Sequence, residues 1–260
     1  MAFRNNSVLI TSATEVAVIA NGTADVYDAG GGSHAYVIAS GKVGNDSFVN
    51  FGSDDSILNG KKIFDGNNDG FIAFGPNGVL DIDRSSRSNA GEDHFQIVGE
   101  NENAILLLRY LGEKGGNHVY ADAGTLFNLF DTFGEASVIE GDVSNDIIDV
   151  SGGQKVVFHD NGLGLNLGSD TVTGFGDDDL FVTTRKLFDR DGDNTVTFGG
   201  NAVLDTSGTT GPNPSDPSKG PGGQVNFTGI SGLAYLGSNE IDGTTYYYYG
   251  TATTTVDPVI

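Results

Sequence analysis

The chain has 260 residues, 13 basic and 35 acidic, with a formal net charge of −22 and a pI of about 4.1. Without cysteine it has neither a disulfide framework nor a Cys-ligated metal centre, and so acidic a surface repels nucleic acid. Forty glycines among many Thr, Val, Tyr and Phe disfavour a helical bundle and favour strands.

At the N-terminus the apolar run Val8-Leu9-Ile10 is shorter than the roughly 7–15 residues of a secretory signal. Met1 reads as the start of a full-length product, either cytosolic or exported without a cleaved leader. Asp25-Val26-Tyr27-Asp28 and Phe51-Gly52-Ser53-Asp54-Asp55 begin motifs that return later in the chain. Ala104 to Leu111 reads as a buried strand or a helix, a run of eight favouring the strand; with Arg109 inside it and far fewer than ~20 residues, it predicts no membrane insertion. A short helix is expected near Thr125 to Asp131. Short strands are expected at Val156–Phe158, Thr171–Thr173, Thr195–Phe198 and Thr244–Tyr249. Residues 206–224, rich in Pro and Gly, read as a loop insertion. The histidines at 34, 94, 118 and 159 are scattered and read as surface or strand residues rather than ligands.

The chain is duplicated. An offset of 124 superimposes residues 51–81 on 175–205 with 14 of 31 positions identical and no gap. Weaker matches extend outward, pairing Asp25–Asp28 with Asp146–Asp149 and Tyr110-Leu111-Gly112 with Tyr235-Leu236-Gly237. The expected architecture is therefore all-β: two tandem homologous units, sandwich-like or roll-like with little helix, at 1–124 and 125–260.

Only eight of the acidic residues are Glu, which leaves 27 Asp. Asp alongside Gly and Asn suits turns and hard-cation ligation. Inside the duplicated block, the loop from Asp65 to Ile72 carries side-chain oxygens at positions 1, 3 and 5 (Asp65, Asn67, Asp69), with Gly70 at 6. Its counterpart, Asp189 to Val196, repeats them as Asp189, Asp191 and Asp193, with Asn194 at 6. Alternate residues of a tight loop point inward, and Ca²⁺ takes six to eight oxygens at about 2.3–2.6 Å. The carbonyls of Phe71 and Thr195, at position 7, are further candidate ligands. Position 12, which holds a bidentate Glu in an EF-hand, is Pro76 or Gly200 here. The closing carboxylate is therefore sought at Asp81 and Asp205, or at Asp54, Asp55, Asp178 and Asp179. Mg²⁺ keeps more of its waters, and zinc or copper wants His or Cys, so calcium is the expected ion.

Several segments resemble degenerate RTX, or haemolysin-type, calcium-binding repeats of the form GGxGxDxUx. They are Ala24 to Gly32, Asn145 to Gly153, and Gly168 to Asp179, which looks like a segment closing such a block. The end Asp257-Pro258-Val259-Ile260 resembles that of type I secreted proteins, although Pro258 departs from the pattern. The likeness covers about a third of the chain. No run of tandem nonapeptides is present, so a regular parallel β-roll is not expected. The resemblance implies export through a type I channel and an extracellular or cell-surface location.

No nucleophile-elbow, zinc-protease or phosphate-loop pattern is present, and no enzyme activity is expected. The expected function is a calcium-binding building block that assembles with itself, head to tail, into a surface layer, filament or adhesin-like matrix. Its partners are other copies and cell-surface or matrix polysaccharide. Terminal segments Ser7–Ile19 and Thr251–Ile260 either complete their own unit's sheet or add to a neighbour's edge. The alternative is a calcium-dependent lectin-like module using Tyr235 and Tyr246–Tyr249 as an aromatic platform, with one alternating set of tyrosines in the core.

Overall fold

Short runs of β-branched and aromatic residues, bounded by Gly, Asp and Asn, form strands along the whole chain. The computed structural model describes residues 15–19, 21–38, 41–207 and 221–258. It divides at Gly124 into units spanning Met1–Gly124 and Thr125–Ile260.

The first unit contains β1 (Glu15–Ile19), β2 (Val26–Asp28), β3 (His34–Ile38), β4 (Asn45–Phe51) and β5 (Ser56–Asn59). It continues with β6 (Phe71–Ala73), β7 (Leu80–Asp81), β8 (His94–Gly99), β9 (Leu107–Lys114) and β10 (Asn117–Asp122). One sheet has the order β1-β3-β5-β10-β9-β6 and the other β2-β4-β8-β7. The second unit opens with the helix α1 (Gly124–Phe133), which spans the boundary, then β11 (Val138–Glu140), β12 (Ile147–Asp149), β13 (Val156–His159), β14 (Ser169–Thr173) and β15 (Leu180–Thr183). It ends with β16 (Thr195–Thr197), β17 (Leu204–Asp205), β18 (Gln224–Phe227), β19 (Gly232–Ile241) and β20 (Thr244–Gly250). Its sheets, β11-β13-β15-β20-β19-β16 and β12-β14-β18-β17, repeat the first unit's order strand for strand.

The chain alternates between the two sheets from β1 to β5, and every pairing among these strands is parallel. Each unit thus begins as a short parallel roll, which the lack of tandem nonapeptides did not lead one to expect. The coils are long and unequal. Paired residues are 19 or 21 apart in the first unit (Glu15 with His34, Val26 with Ser47) and 18 or 24 apart in the second (Val138 with Val156, Ile147 with Thr171). Antiparallel β10 then pairs with β5, and β20 with β15, ending the roll.

Close stacking of the coils explains one pair of glycines. A Cβ on Gly44 would lie 2.5 Å from the carbonyl oxygen of Thr23, and one on its counterpart Gly168 would lie 1.6 Å from that of Ser144. Both glycines also hold positive φ, at 92° and 107°.

The inner faces of the two sheets of each unit enclose its core. In the first, Phe48 is the hub, with ring centroids 5.4 Å from Tyr27, 4.8 Å from Tyr36 and 5.0 Å from Phe95. In the second, Phe227 takes that role, 5.1 Å from Phe175, 5.2 Å from Phe181 and 5.7 Å from Phe198. A buried tyrosine hydroxyl recurs in both: Ile63 N donates to Tyr120 Oη at 2.8 Å and Leu187 N to Tyr249 Oη at 2.8 Å.

Three expectations change in detail. The strand sought from Ala104 begins at Leu107, because Ala104 bridges Val98 and Ile105 N donates to Ile97 O before the chain crosses to the other sheet. Glu15–Ile19 forms an edge strand of its own unit, while residues 7–14 lie outside the described residues. Thr251 to Thr255 forms no strand at all. Thr251 and Thr253 hydroxyls donate to Asp177 Oδ1, and Thr255 N donates to Asp177 O at 2.7 Å, tying the segment to its own unit. Residues 208–220 of the insertion and 259–260 of the C-terminal motif lie outside the described residues.

Candidate metal centre

The two aspartate loops link β5 to β6 and β15 to β16, at the same place in both units. Their first carboxylate organises the turn. Asp65 Oδ1 accepts from Asn67 N (3.1 Å) and Asn68 N (2.7 Å), and its Oδ2 from Gly70 N (2.9 Å). Asp189 accepts from Gly192 N and Asn194 N, each at 2.9 Å. Both loops turn through left-handed residues at positions 4 and 6, with the residue types exchanged: Asn68 and Gly70 in one, Gly192 and Asn194 in the other. Asn is the side chain that best tolerates this backbone after Gly, so the exchange preserves the curl.

Desolvation opposes ionisation of Asp65, but the N–H groups of Gly70, Asn68 and Asn67 outweigh it, with help from Lys62, and hold the carboxyl below its usual range. Asp189 is held low in the same way: desolvation opposes, and the N–H groups of Gly192 and Asn194 prevail. Both loops therefore present anionic oxygens at neutral pH.

Asp189, Asp191 and Asp193 bring carboxylate oxygens within 4.8 Å of one another, the one such group of potential metal-binding His, Cys, Asp or Glu among the described residues. In the first loop Asn67 replaces the middle Asp and donates its amide to Asp69 Oδ2 at 2.6 Å. Rotating that amide by half a turn presents its oxygen instead, since O and N occupy nearly equivalent positions. Position 7 follows from the sheet. Gly70 O accepts from Tyr110 N and Asn194 O from Tyr235 N, each at 2.8 Å. The next residue of a strand faces the other way. The N–H groups of Phe71 and Thr195 accordingly reach Asp69 Oδ1 and Asp193 Oδ1, each at 2.8 Å, and their carbonyls face the same side. The donor set is all oxygen, which fits a hard divalent cation.

The six candidates for the closing carboxylate separate into two groups. Asp81 and Asp205 end β7 and β17, and each keeps one buried carboxylate oxygen without a hydrogen-bond partner, Oδ1 of Asp81 and Oδ2 of Asp205. A cavity of about 640 Å³ runs from Asp191 and Thr195 to Asp205. Asp55 and Asp179 are instead buried and committed to the roll. Asp55 accepts from Gly52 N (2.7 Å) and His34 N (2.9 Å), and Asp179 from Gly176 N and Lys155 N, both at 2.8 Å. Burial pushes the Asp55 carboxyl up to about 8, and the His34 Nδ1 lies 3.0 Å from its Oδ1. Asp54 is half-buried and Asp178 exposed, and neither joins the loop cluster.

Sequence reasoning missed a second set of aspartates. Asp25 and Asp46 occupy adjacent coils, and Asp25 N donates to Asp46 Oδ1 at 2.9 Å; Asp146 N donates to Asp170 Oδ1 at 3.0 Å. The signal was present in the resemblance, where Asp precedes the apolar position, but the unequal coil lengths concealed the register. The tyrosine run also differs from a sugar platform. Tyr246, Tyr248 and Tyr249 are fully buried, because α1 covers Tyr246 and Tyr248 while Tyr249 enters the core.

Comparison with protein-family models, curated proteins and solved structures gives no match. What the fold and the loops define is a duplicated all-β protein with a three-carboxylate cluster able to hold a metal ion. Among the described residues, no helix is long and apolar enough to cross a membrane.

Proposed function

We propose that this chain is a secreted calcium-binding structural protein that self-assembles at the cell surface or in the extracellular matrix. The single observation that carries the reading is the convergence of Asp189, Asp191 and Asp193 in a loop that the duplication repeats. At a net charge of −22 the ion-free chain folds against its own field. Calcium outside the cell binds the native loops and stabilises them by mass action. Export by a type I route belongs to the same proposal and rests on the RTX resemblance.

Tandem units of one design present similar surfaces along a chain, which favours head-to-tail association. The start of each roll supplies an edge for it. β1 and β2, and likewise β11 and β12, end their sheets among the described residues. Equivalent apolar residues on β2 and β12 are exposed, Val26 by 63% and Ile147 by 81%. Electron microscopy of the purified chain with calcium and with chelator tests the reading. Ordered lattices or filaments formed only with calcium are expected; dispersed single particles under both conditions refute assembly.

A further inference from the structure

Seven of the 13 basic residues lie next to the two aspartate loops: Lys61, Lys62, Arg84 and Arg87 in the first unit, and Arg185, Lys186 and Arg190 in the second. In so acidic a chain this is a local concentration of positive charge. In the first unit it forms a cleft. Lys61, Lys62 and Arg84 line an open-mouthed cavity of about 430 Å³, together with Phe64, Asp65 and Asp83.

The four cations of the first unit form no ion pair with a carboxylate among the described residues. Lys62 lies over the Tyr110 ring, 4.3 Å from its centroid, and Arg84 lies over Phe64 at 5.6 Å. Arg84 donates to the carbonyls of Ser86 (2.8 Å) and Arg87 (2.6 Å), and Arg87 to that of Gly66 (2.9 Å). Each guanidinium is thus fixed by carbonyl acceptors rather than by an ion pair. The two carboxylates in the wall are directed elsewhere: Asp65 into its own loop, and Asp83 to Glu92 N (3.0 Å) and Asp93 N (3.2 Å). Desolvation opposes ionisation of Asp83, but these N–H groups outweigh it.

We infer that this cleft is a second ligand site, which takes the carboxylate or sulfate group of an acidic sugar. Two lysines and a positioned arginine supply charge-assisted donors for an oxyanion. The volume exceeds what a bare inorganic anion fills and lies in the range of small-molecule pockets. The second unit is a built-in contrast. Arg185 and Lys186 match Lys61 and Lys62, but the chain after Asp205 carries Thr206, Ser207 and Gly208 where the first unit has Ile82, Asp83 and Arg84. The sugar rests on the proposed matrix setting; the oxyanion chemistry rests on the cleft alone.

Isothermal titration of the full chain in saturating calcium, at fixed ionic strength, tests this with sodium glucuronate, sodium sulfate and glucose. Glucuronate is expected to bind, glucose not at all, and sulfate at least about tenfold more weakly than glucuronate. Lys61→Gln, at an exposed side chain, should weaken glucuronate about tenfold with the melting temperature unchanged, whereas Arg185→Gln should leave it within about twofold. No heat with glucuronate, sulfate binding as tightly, or equal losses in both variants overturns the site. If Lys61→Gln abolishes self-association while glucuronate binding is intact, the cleft serves a second copy and the inference falls. Calcium titration of the same samples separates the two ideas, because glucuronate binding without any calcium binding breaks the proposed function and leaves the cleft standing.

Discussion

Asp46 of the first unit and Asp170 of the second hold the same place in their rolls, and their surroundings differ. Asp46 is 2% exposed and its Oδ2 has no hydrogen-bond partner. Desolvation, with the nearby Asp25 and Asp93 charges, pushes its carboxyl up to about 6. Asp170 has His159 beside it, with Nδ1 3.8 Å from Oδ2. That imidazole is held by Gly222 O at 2.6 Å, and burial presses it down to about 4. The counterpart of His159 in the first unit is Ile38, so at this place the first unit buries its aspartate without a histidine and the second buries it beside one. Duplication has kept the backbone geometry, down to the stacked glycines, while the buried charge has diverged. The aromatic hub has moved too, from β4 to β18.

The largest expected effect treats the units as alike. Chelation should lower the melting temperature by roughly 10 °C, since calcium at a hundredfold excess over its dissociation constant contributes about 2.7 kcal/mol. Sodium chloride of equal ionic strength should not restore it. A melting temperature indifferent to chelator would leave the aspartate loops without a metal role.

Acid should then separate the units. For His159 the folded value lies below the unfolded one, about 6.5, so its contribution is complete above pH 6.5 and fades as pH falls through 4. Roughly 3 kcal/mol is at stake for a shift of this size. For Asp46 the sign is opposite: stabilisation is complete below about 3.8 and is lost as pH rises through 6. Hydrogen exchange resolved by peptide should show the second unit loosening between pH 6.5 and 4 while the first tightens. His159→Gln should flatten the second unit's profile, and Asp46→Asn the first's. Parallel profiles in the two units would contradict the contrast.

A smaller effect should be shared. Tyr120→Phe and Tyr249→Phe each leave a buried N–H, of Ile63 or Leu187, without its acceptor, and should cost about 1–3 kcal/mol in chemical denaturation. Very unequal losses would show that the two hydroxyls do different work. The finest distinction lies in the loops. Asn67→Asp gives the first loop the second's three carboxylates, and Asp191→Asn does the reverse. Terbium luminescence should report affinity rising about tenfold in the former and falling as much in the latter, following ligand charge.

The duplication, the all-β character and the two aspartate loops were legible in the residues. Repeated identity survives any reading frame, and ligand spacing on a tight loop is local. A short helix was also expected near Thr125, and α1 stands there. The buried histidines were not: His34 and His159 look like any scattered polar residue until the strands around them close. The tyrosines from 246 to 249 alternate as a strand should, yet three are buried, because a helix from another part of the unit covers the face that alternation assigns to solvent.

What the sequence by itself determined was therefore everything carried by neighbours in the chain: strand propensity, turn chemistry, and a loop that curls around its own carboxylates. Tertiary structure alone decided which aspartates serve the coils and which remain with the loops, because parallel pairing joins residues 18 to 24 positions apart. It also decided that Lys61, Lys62 and Arg84 share one cleft. The physical reason is that desolvation and long-range charge depend on what the fold brings close, and spacing along the chain does not record that.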